Sequence, residues 1–304
     1  MQYYENTRQF EFTDSVVTLG KFDGIHAGHR CLLKELLASE PKVKIVFSFY
    51  VHPSNLLNGE EKKKLIYTNE EKKQILEQSG IDVLIHYPFD RETMEMSAED
   101  FIMEILVKKL GVKKIVVGSD FKFGYHRRGD VALLEQYASS FGYEVKVFEK
   151  VRMDDQVVSS SKIRKELQLG NIGKVNQLLT RPYFIGGIIQ EGKKLGRTIS
   201  MPTINIYPDP SKYLPPYGVY ATKVTIDGVT YQAITNVGIC PTIDHNIKPS
   251  VETYIFDYHG NLYGQYVKVE FFHFLRPEQK FESIEQLKAQ MEQDKHQVLH
   301  FFKS

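Results

Sequence analysis

The sequence predicts two modules in one chain: a doubly wound α/β domain built on a parallel sheet, then a small antiparallel β-barrel domain with a C-terminal helix. The length of 304 residues fits two domains of roughly 100–200 residues each. In the first half, β-rich runs alternate with helical patterns, and repeated β-α units are typical of a parallel sheet. After an Arg-Pro pair at residues 181–182, short strand-like runs with turn signals favour an antiparallel sheet or barrel.

The first module alternates strands with helices. Runs rich in Val, Ile and aromatic residues predict strands at residues 16–20, 43–49, 82–89, 113–121 and 143–151. Apolar residues at helical spacing predict helices at residues 28–38, 70–79, 98–110 and 131–141. Ser97, with Asp100 three residues later, is a start signal for the third helix, and Gly142 ends the fourth. Ligands of such folds bind beyond the carboxyl ends of the strands, so those loops are where we expect the site.

The second half begins with two further helices, predicted at residues 160–168 and 173–179. Asp227-Gly228 is a two-residue hairpin signal, and residues 259–261 predict a second turn. Ser283 caps a final amphipathic helix at residues 284–301. We therefore expect the two domains at residues 1–180 and 181–304.

Composition excludes several functional classes. A net charge of +1 gives no overall basic field, so we expect neither nucleic acid nor a membrane as a partner. No apolar run approaches the ~18 residues of a transmembrane helix, and the N-terminus lacks a signal-peptide core. Cys31 and Cys240 lie far apart, which favours a reducing cytoplasm. We expect a cytoplasmic monomer or weak homo-oligomer acting on small molecules, with 18 Tyr and 19 Phe but no Trp as flat binding surfaces.

A phosphate cradle is predicted where the first strand runs into GKFDGIHAGH at residues 20–29. A helix N-terminus offers unpaired N–H groups and a positive dipole end, which suit phosphate. His26 and His29 are three residues apart and share one helix face, so both rings can donate to one phosphate. Gly28 between them lets a nucleotide approach the backbone closely.

A second anion-binding helix start is predicted at VSSSKIR, residues 158–164. Its hydroxyls can cap the helix or bind phosphate, while Lys162 and Arg164 add positive charge. Aromatic and polar side chains also follow two strand ends and face the expected crevice, and the candidates for a planar ligand are Phe49, His52, Asp120, Phe121 and Phe123. Phe49 and Phe121 are also compatible with a place in the core.

These stretches resemble known motifs. HxGH and the later SSSKIR resemble the HxGH and ISSTxIR signatures of a nucleotidyltransferase superfamily. SFYVHP and VGSDFKFG with RRGD resemble segments of bacterial bifunctional riboflavin kinases/FAD synthetases. The resemblance implies adenylylation of FMN to FAD with release of pyrophosphate, with His26 and His29 in the catalytic role. It also implies an ATP and phosphate set of Gly20, Phe22, Asp23, Gly24, Gly28, Ser159, Ser160 and Arg164.

The second module contains no GxxxxGK[ST] motif. Spaced glycines with basic residues suit a flap over polyphosphate, and they are Gly187, Gly192, Lys193, Gly196 and Arg197. Thr203 and Asn205 alternate on a strand, so they point the same way, and their oxygens are plausible Mg²⁺ ligands. Glu252 at a strand start is a candidate general base.

This second set resembles the riboflavin kinase half of the same bifunctional family, in the family's order along nearly the whole chain. The resemblance implies that the module phosphorylates riboflavin to FMN, that Thr203 and Asn205 bind Mg²⁺–ATP, and that Glu252 deprotonates the ribityl hydroxyl. Ser200-Met201 replaces the family's usual Gly-Phe, and Cys240 replaces its usual Arg. Three alternatives therefore stay open: only one active module, a flavin-binding regulatory protein, or a transferase for another phosphorylated alcohol or nucleotide.

Overall fold

The computed structural model describes residues 1–39, 42–50, 64–191, 201–241 and 247–303. The chain divides into two compact units, Met1–Ser160 and Ser161–Ser304. Each unit has its own six-stranded sheet. The module boundary that we expect from the sequence, between residues 180 and 181, remains a prediction.

The first unit is built on a parallel sheet, as the sequence predicts. Its strands are β1 (Gln2–Glu5), β2 (Ser15–Leu19), β3 (Val43–Phe49), β4 (Val83–Tyr87), β5 (Val112–Gly118) and β6 (Glu144–Phe148). Their order is β1-β4-β3-β2-β5-β6, and every pairing is parallel. The order reverses direction between β2 and β5, and ligands of open α/β sheets bind at such a switch point.

Helices flank this sheet, close to the predicted bounds. They are α1 (Ala27–Leu37), α2 (Asn69–Gln78), α3 (Arg91–Glu95), α4 (Ala98–Asp100) and α5 (Val131–Phe141). A π-helix, Phe101–Lys109, continues α4, and the Leu110 amide accordingly bonds the Ile105 carbonyl five residues back. A 3-10 turn, Tyr125–Arg127, and a small hairpin of β7 (Arg152–Met153) and β8 (Gln156–Val157) complete the unit.

Local capping explains where these helices begin. Thr68 and Glu71 form a reciprocal capping box before α2, so that two orphan N–H groups are satisfied. The side chain of Ser97 accepts from the Asp100 amide, and Asp130 accepts from the Leu133 amide in the same way. On one face of the sheet, alternate strand residues such as Val17 and Ile45 pack against the π-helix and α5.

The second unit is an antiparallel β-barrel with helices beside it, which confirms the predicted fold class. Its elements after α6 (Ser160–Gln168) and α7 (Ile172–Leu179) are β9 (Tyr183–Ile188), β10 (Thr203–Ile206), β11 (Gly218–Ile226), β12 (Val229–Pro241), β13 (Ile247–Ile255), β14 (Tyr266–Arg276) and α8 (Ile284–Phe301). The strand order is β10-β13-β12-β11-β14-β9. Gln190, two residues after β9, donates its amide to the carbonyl of Asn205 in the other edge strand, with an N···O distance of 2.9 Å.

The barrel has a filled interior and a helix on its outer face. Tyr183, Tyr220 and Phe271 are fully buried and contact one another inside. On the outside, Val298 of α8 packs in the cluster over β11 and β12. The guanidinium of Arg276 donates to both carboxylate oxygens of the buried Asp294, which anchors α8 against the end of β14.

Candidate functional site

The predicted phosphate cradle lies at the carboxyl end of β2, beside the topological switch point. The chain leaves β2 at Leu19, passes through a turn, and enters α1 with His26 as the N-cap. The side chain of His26 makes no capping hydrogen bond. Consequently the first-turn N–H groups of α1 have no side-chain acceptor from their own N-cap, and the positive end of the helix dipole faces this turn.

The turn that carries the cradle is backbone-strained. Phe22 and Ile25 both have positive φ, at 48° and 42°, and Gly24 has φ of 90°. Non-glycine residues rarely occupy this region, and such strain persists where packing fixes it. Phe22 is fully buried, and its ring centroid lies 4.9 Å from that of His29. The Phe22 side chain therefore supports His29 from within the protein.

The two histidines stack directly on each other. Their ring centroids are 3.8 Å apart and their planes differ by 18°. The Nδ1 atom of each ring is buried and has no hydrogen-bond partner among the described residues. Gly28 fits against this pair closely, since a Cβ there would lie 3.2 Å from the His26 ring.

Both imidazoles are neutral at pH 7. Burial lowers the pKa of His26 to about 4, although the carboxylate of Asp23 acts in the opposite direction. The pKa of His29 is well below its ordinary value, chiefly because burial disfavours the charged ring, and also because His26 and Lys72 lie near it. His29 as a residue is only half-buried, so part of it reaches solvent. A neutral ring with a free nitrogen can donate one N–H to a phosphate oxygen.

Hydrogen bonds with largely buried polar groups fix the turn that carries the two histidines. The carboxylate of Asp23 accepts from the Ile66 amide at 2.9 Å, and the Asp23 carbonyl accepts from the Ser160 hydroxyl at 2.7 Å. The Lys21 carbonyl accepts from Ser48 Oγ at 3.1 Å and from Lys72 Nζ at 3.2 Å. Ser160, the last residue of the first unit, thus binds the turn of the first predicted phosphate motif.

The other residues of the predicted ATP and phosphate set lie just after β2 and in or just before α6. Gly20 directly follows β2, and a Cβ at this position would lie 3.2 Å from the Phe22 ring. Ser159 precedes α6, and Arg164 lies within α6 in the second compact unit.

The aromatic candidates sit at the carboxyl ends of β3 and β5, as predicted, with differing exposure. Phe49 ends β3 and packs edge-on against Phe89. Phe123 is 8% exposed and belongs to the core, while the half-buried Phe121 stacks on it with centroids 5.5 Å apart. Asp120 is exposed and pairs with Lys150 at 3.0 Å. Phe121 is therefore the more accessible flat surface of the stacked pair.

The predicted kinase residues share one face of the second sheet. Asn205 of β10 stands opposite Glu252 of β13, and Thr203 stands opposite Tyr254. Directly paired residues of antiparallel strands project from the same face, so all four side chains lie together on it. Asn205 is 5% exposed, and its main chain is fixed by the Gln190 bridge.

The next strand extends this polar row. Asn236 of β12 stands opposite Glu252 and donates to Glu278 Oε1 at 3.0 Å. The Glu278 carboxylate lies over Gly238, where a Cβ would come within 2.1 Å of Oε1. The row therefore contains two carboxylates, and Gly238 is required for the close approach of one of them.

The donor set of this row suits a magnesium ion held jointly with phosphates. Thr203 offers a hydroxyl and Asn205 an amide oxygen, both hard oxygen donors. In the part of the chain that the structure describes, no group of three or more His, Cys, Asp or Glu residues is arranged to hold a metal. Mg²⁺ commonly takes only one or two protein ligands and fills its shell with substrate phosphates and water, so the residues present fit this ion.

Several predicted residues lie outside the described residues. They are His52 of the first module and Gly192, Lys193, Gly196 and Arg197 of the second, together with Ser200. Gly187, from the same glycine set, lies in β9, where a Cβ would come 2.4 Å from Ile206 of β10. At Gly187 the glycine thus permits close contact between two strands.

Sequence reasoning did not select two functional candidates. Lys72 sits in an ordinary charged helix sequence, and only burial distinguishes it from its neighbours. Glu278 follows β14, and its bond to Asn236 joins residues 42 positions apart. The sequence signal for Lys72 is its position on the apolar, inward face of the predicted helix.

Comparisons with known proteins agree with both units. The FAD synthetase family model matches residues 9–162, and the riboflavin kinase family model matches residues 179–302. The bifunctional riboflavin kinase/FMN adenylyltransferase of Bacillus subtilis is 35% identical over 298 residues, covering 96% of this chain and 94% of that protein. The protein of that name from Haemophilus influenzae is 37% identical over 292 residues, covering 95% and 94%.

A solved structure also matches over nearly the full length. The crystal structure titled as a macrolide-efflux protein from Streptococcus pneumoniae superposes with a TM-score of 0.85 at 29% identity, covering 97% of each chain. Among the described residues here, no helix combines the length and apolar character needed to span a membrane.

Proposed function

The chain belongs to the family of bifunctional riboflavin kinases/FMN adenylyltransferases, and from this premise we propose which of its residues perform each reaction. It is an enzyme that phosphorylates riboflavin to FMN with ATP and adenylylates FMN to FAD. We assign adenylyl transfer to residues 1–180 and phosphorylation to residues 181–304. Riboflavin, FMN and ATP are its small-molecule substrates.

In adenylyl transfer, we assign phosphate binding to the turn at residues 20–29. An oxygen of the FMN phosphate attacks the α-phosphorus of ATP in line, the bond to the β-phosphate breaks, and pyrophosphate leaves. His26 and His29 donate as neutral imidazoles, and the first-turn amides of α1 donate beside them. The family resemblance also assigns phosphate binding to Ser159, Ser160 and Arg164, and we assign the border of the flavin to Phe49, Asp120 and Phe121.

In phosphorylation, we assign the general base to Glu252. Its carboxylate takes the proton of the ribityl hydroxyl as that oxygen attacks the γ-phosphorus of ATP. Thr203 and Asn205 would hold Mg²⁺, which would neutralise charge on the phosphates. Asn236 and Glu278 lie on the other side of Glu252 and set the polar edge of the site.

The register of β10, β13 and β12 is the observation that carries this kinase assignment. It brings Asn205, Glu252 and Asn236 into one row, although residues 205 and 252 are far apart in sequence. A base adjacent to metal-binding oxygens is the arrangement that phosphoryl transfer to a hydroxyl requires. For the first unit, the adenylyl-transfer assignment rests on the stacked histidines at the start of α1, where the N-cap makes no side-chain hydrogen bond.

We further propose that the protein acts in the cytoplasm as a monomer or weak homo-oligomer, without nucleic acid or a membrane as partner. Its net charge of +1 supports this, because a nearly neutral protein has no broad positive field to attract nucleic acid or anionic lipid. Local charged groups and Mg²⁺ would then bind the small anionic substrates.

The test is turnover by the purified chain. Riboflavin, ATP and Mg²⁺ are incubated with it, and flavins are separated by chromatography while pyrophosphate is measured. FMN should appear first, and FAD should follow with one pyrophosphate per FAD. Omission of Mg²⁺ should stop both steps. Flavin binding without conversion would identify a regulatory protein, and FMN accumulation without FAD would leave only the kinase module active.

A further inference from the structure

A lysine ammonium is buried beneath the turn that carries the two histidines. Lys72 of α2 is only 3% exposed, and its Nζ donates to the Lys21 carbonyl at 3.2 Å. Ser48, itself 1% exposed, donates to the same carbonyl at 3.1 Å. Two buried donors thus converge on one carbonyl of the phosphate-binding turn, and one of them is charged.

The charge of Lys72 works against folding. Burial lowers the pKa of Lys72 to about 8, and Asp23 acts in the opposite direction. The group is therefore still protonated at pH 7, and a buried cation is costly unless it is well paired. An apolar side chain of similar shape is often equally or more stable at such a position. A costly charge kept beside a ligand-binding turn points to a role in function.

The groups around Lys72 come from four elements. Asp23 faces it from the turn, His29 from α1, His86 from β4, and Ser48 from β3. The fully buried His86 pairs its Nδ1 with the Tyr3 hydroxyl at 2.9 Å. After burial itself, the positive charge of Lys72 contributes to lowering the pKa of His86, and it acts on His29 in the same direction.

We propose that Lys72 is a positioning residue for adenylyl transfer, whose buried charge and hydrogen bond to Lys21 hold the turn of His26 and His29 in the geometry that binds phosphate. The same charge disfavours protonation of His29, so this ring meets the phosphates as a neutral N–H donor. The proposal rests on the function assigned above to the first unit. Lys72 itself is too enclosed to touch the substrate and acts through the turn and the histidine.

Substitution of Lys72 tests this in the full-length enzyme. K72M should lower kcat/KM for FAD formation from FMN by about 10- to 100-fold, the loss typical of a misplaced catalytic geometry. It should also raise the pKa of His29 and His86, measured by NMR of the ring protons, because a nearby positive charge is removed. The melting temperature should be unchanged or higher, and riboflavin phosphorylation by the same preparation should be unchanged.

Two further variants separate charge from hydrogen bonding. K72Q keeps a donor for the Lys21 carbonyl without the charge, so it should raise the histidine pKa values and recover only part of the lost rate. K73M removes the adjacent lysine, which pairs with Glu70 near the surface at 3.6 Å, and should behave as wild type in each measurement.

Three results would contradict the proposal. One is a K72M enzyme with wild-type kinetics and unchanged histidine pKa values. Another is full recovery by K72Q, which would leave the charge without a role. The third is joint loss of both activities with a lower melting temperature, which would make Lys72 a folding residue. A wild-type chain that forms no FAD would instead overturn the assigned function, and the histidine titrations would still decide the electrostatic part.

Discussion

His26 and His29 stack with their ring centroids 3.8 Å apart, at the start of a helix whose N-cap supplies no side-chain hydrogen bond. Two rings so close cannot both be positively charged imidazolium without strong repulsion, and burial already disfavours the charged form of each ring. The pair is therefore a neutral donor set at pH 7, and the helix N-terminus supplies the positive potential that the rings lack. The phosphate binding that we propose here would therefore rest on oriented dipoles.

The first prediction concerns acid stability. The folded protein holds the pKa of His26 at about 4, against 6.5 in the unfolded chain. Between these pH values the unfolded state binds more protons than the folded state. The contribution of His26 to the free energy of unfolding is therefore complete above pH 6.5 and is lost as the pH falls toward 4. His26 should contribute about 3 kcal/mol to this loss. Urea unfolding between pH 7 and 4 measures it, and the decline should be shallower by that amount in His26→Gln.

A second prediction concerns the alkaline side of adenylyl transfer. The pKa of Lys72 is about 8 in the free enzyme, and deprotonation removes the charge beneath the turn. The kcat/KM for FAD formation should therefore decline above pH ~8, since this ratio reports groups of the free enzyme. The kcat/KM for riboflavin phosphorylation by the same preparation should show no such decline above pH ~8. A profile for FAD formation that stays flat to pH 10 would contradict the account.

A third prediction concerns the kinase base. Glu252→Gln keeps the size and hydrogen bonding of the side chain but cannot accept the ribityl proton. FMN formation should fall by about 10²–10⁴-fold, the usual contribution of a positioned base. Glu278→Gln is the matched control, because its amide oxygen still accepts from Asn236 and the base remains. If the two variants lose equal activity, Glu252 has no special role.

The close approach at Gly238 gives a fourth prediction. A Cβ at this position would lie 2.1 Å from Glu278 Oε1, so Gly238→Ala must displace the Glu278 carboxylate from Asn236. Because the displaced atoms end a flexible, exposed side chain, stability should change by less than about 1 kcal/mol. The KM of the kinase should rise, since the polar edge beside Glu252 is disturbed. Thermal unfolding and kinase kinetics on one preparation separate the two effects.

Much of the fold follows from local sequence signals. The bounds of β3, α5 and α8 match the predicted residues, because strong apolar periodicity and caps such as Asp130 and Ser283 define them. The turn at Asp227-Gly228 joins β11 to β12 directly, with positive φ at both residues. Among the described residues, the motif of His26 and His29 follows β2 and opens α1, as predicted.

Other features depend on tertiary contacts and leave little local trace. Strand β1 is four residues long and is held by parallel pairing with β4, which comes some eighty residues later. The π-helical bonding after Asp100 is not encoded by the apolar spacing, which suits an α-helix equally. The burial of Lys72 and the Asn236–Glu278 bond arise only when distant elements meet. Sequence reasoning therefore predicts residues for both sites but does not predict the buried or distant groups that contact them.

The central claim is that one chain carries two independent sites, each with its own essential residue, and complementation measures it most directly. Glu252→Gln should form FAD only from supplied FMN, and His29→Ala should form FMN from riboflavin but little FAD. An equimolar mixture of the two variants should convert riboflavin to FAD, because FMN made by one variant reaches the intact site of the other. If either single variant loses both activities while still folded, or if the mixture forms no FAD, the claim is contradicted.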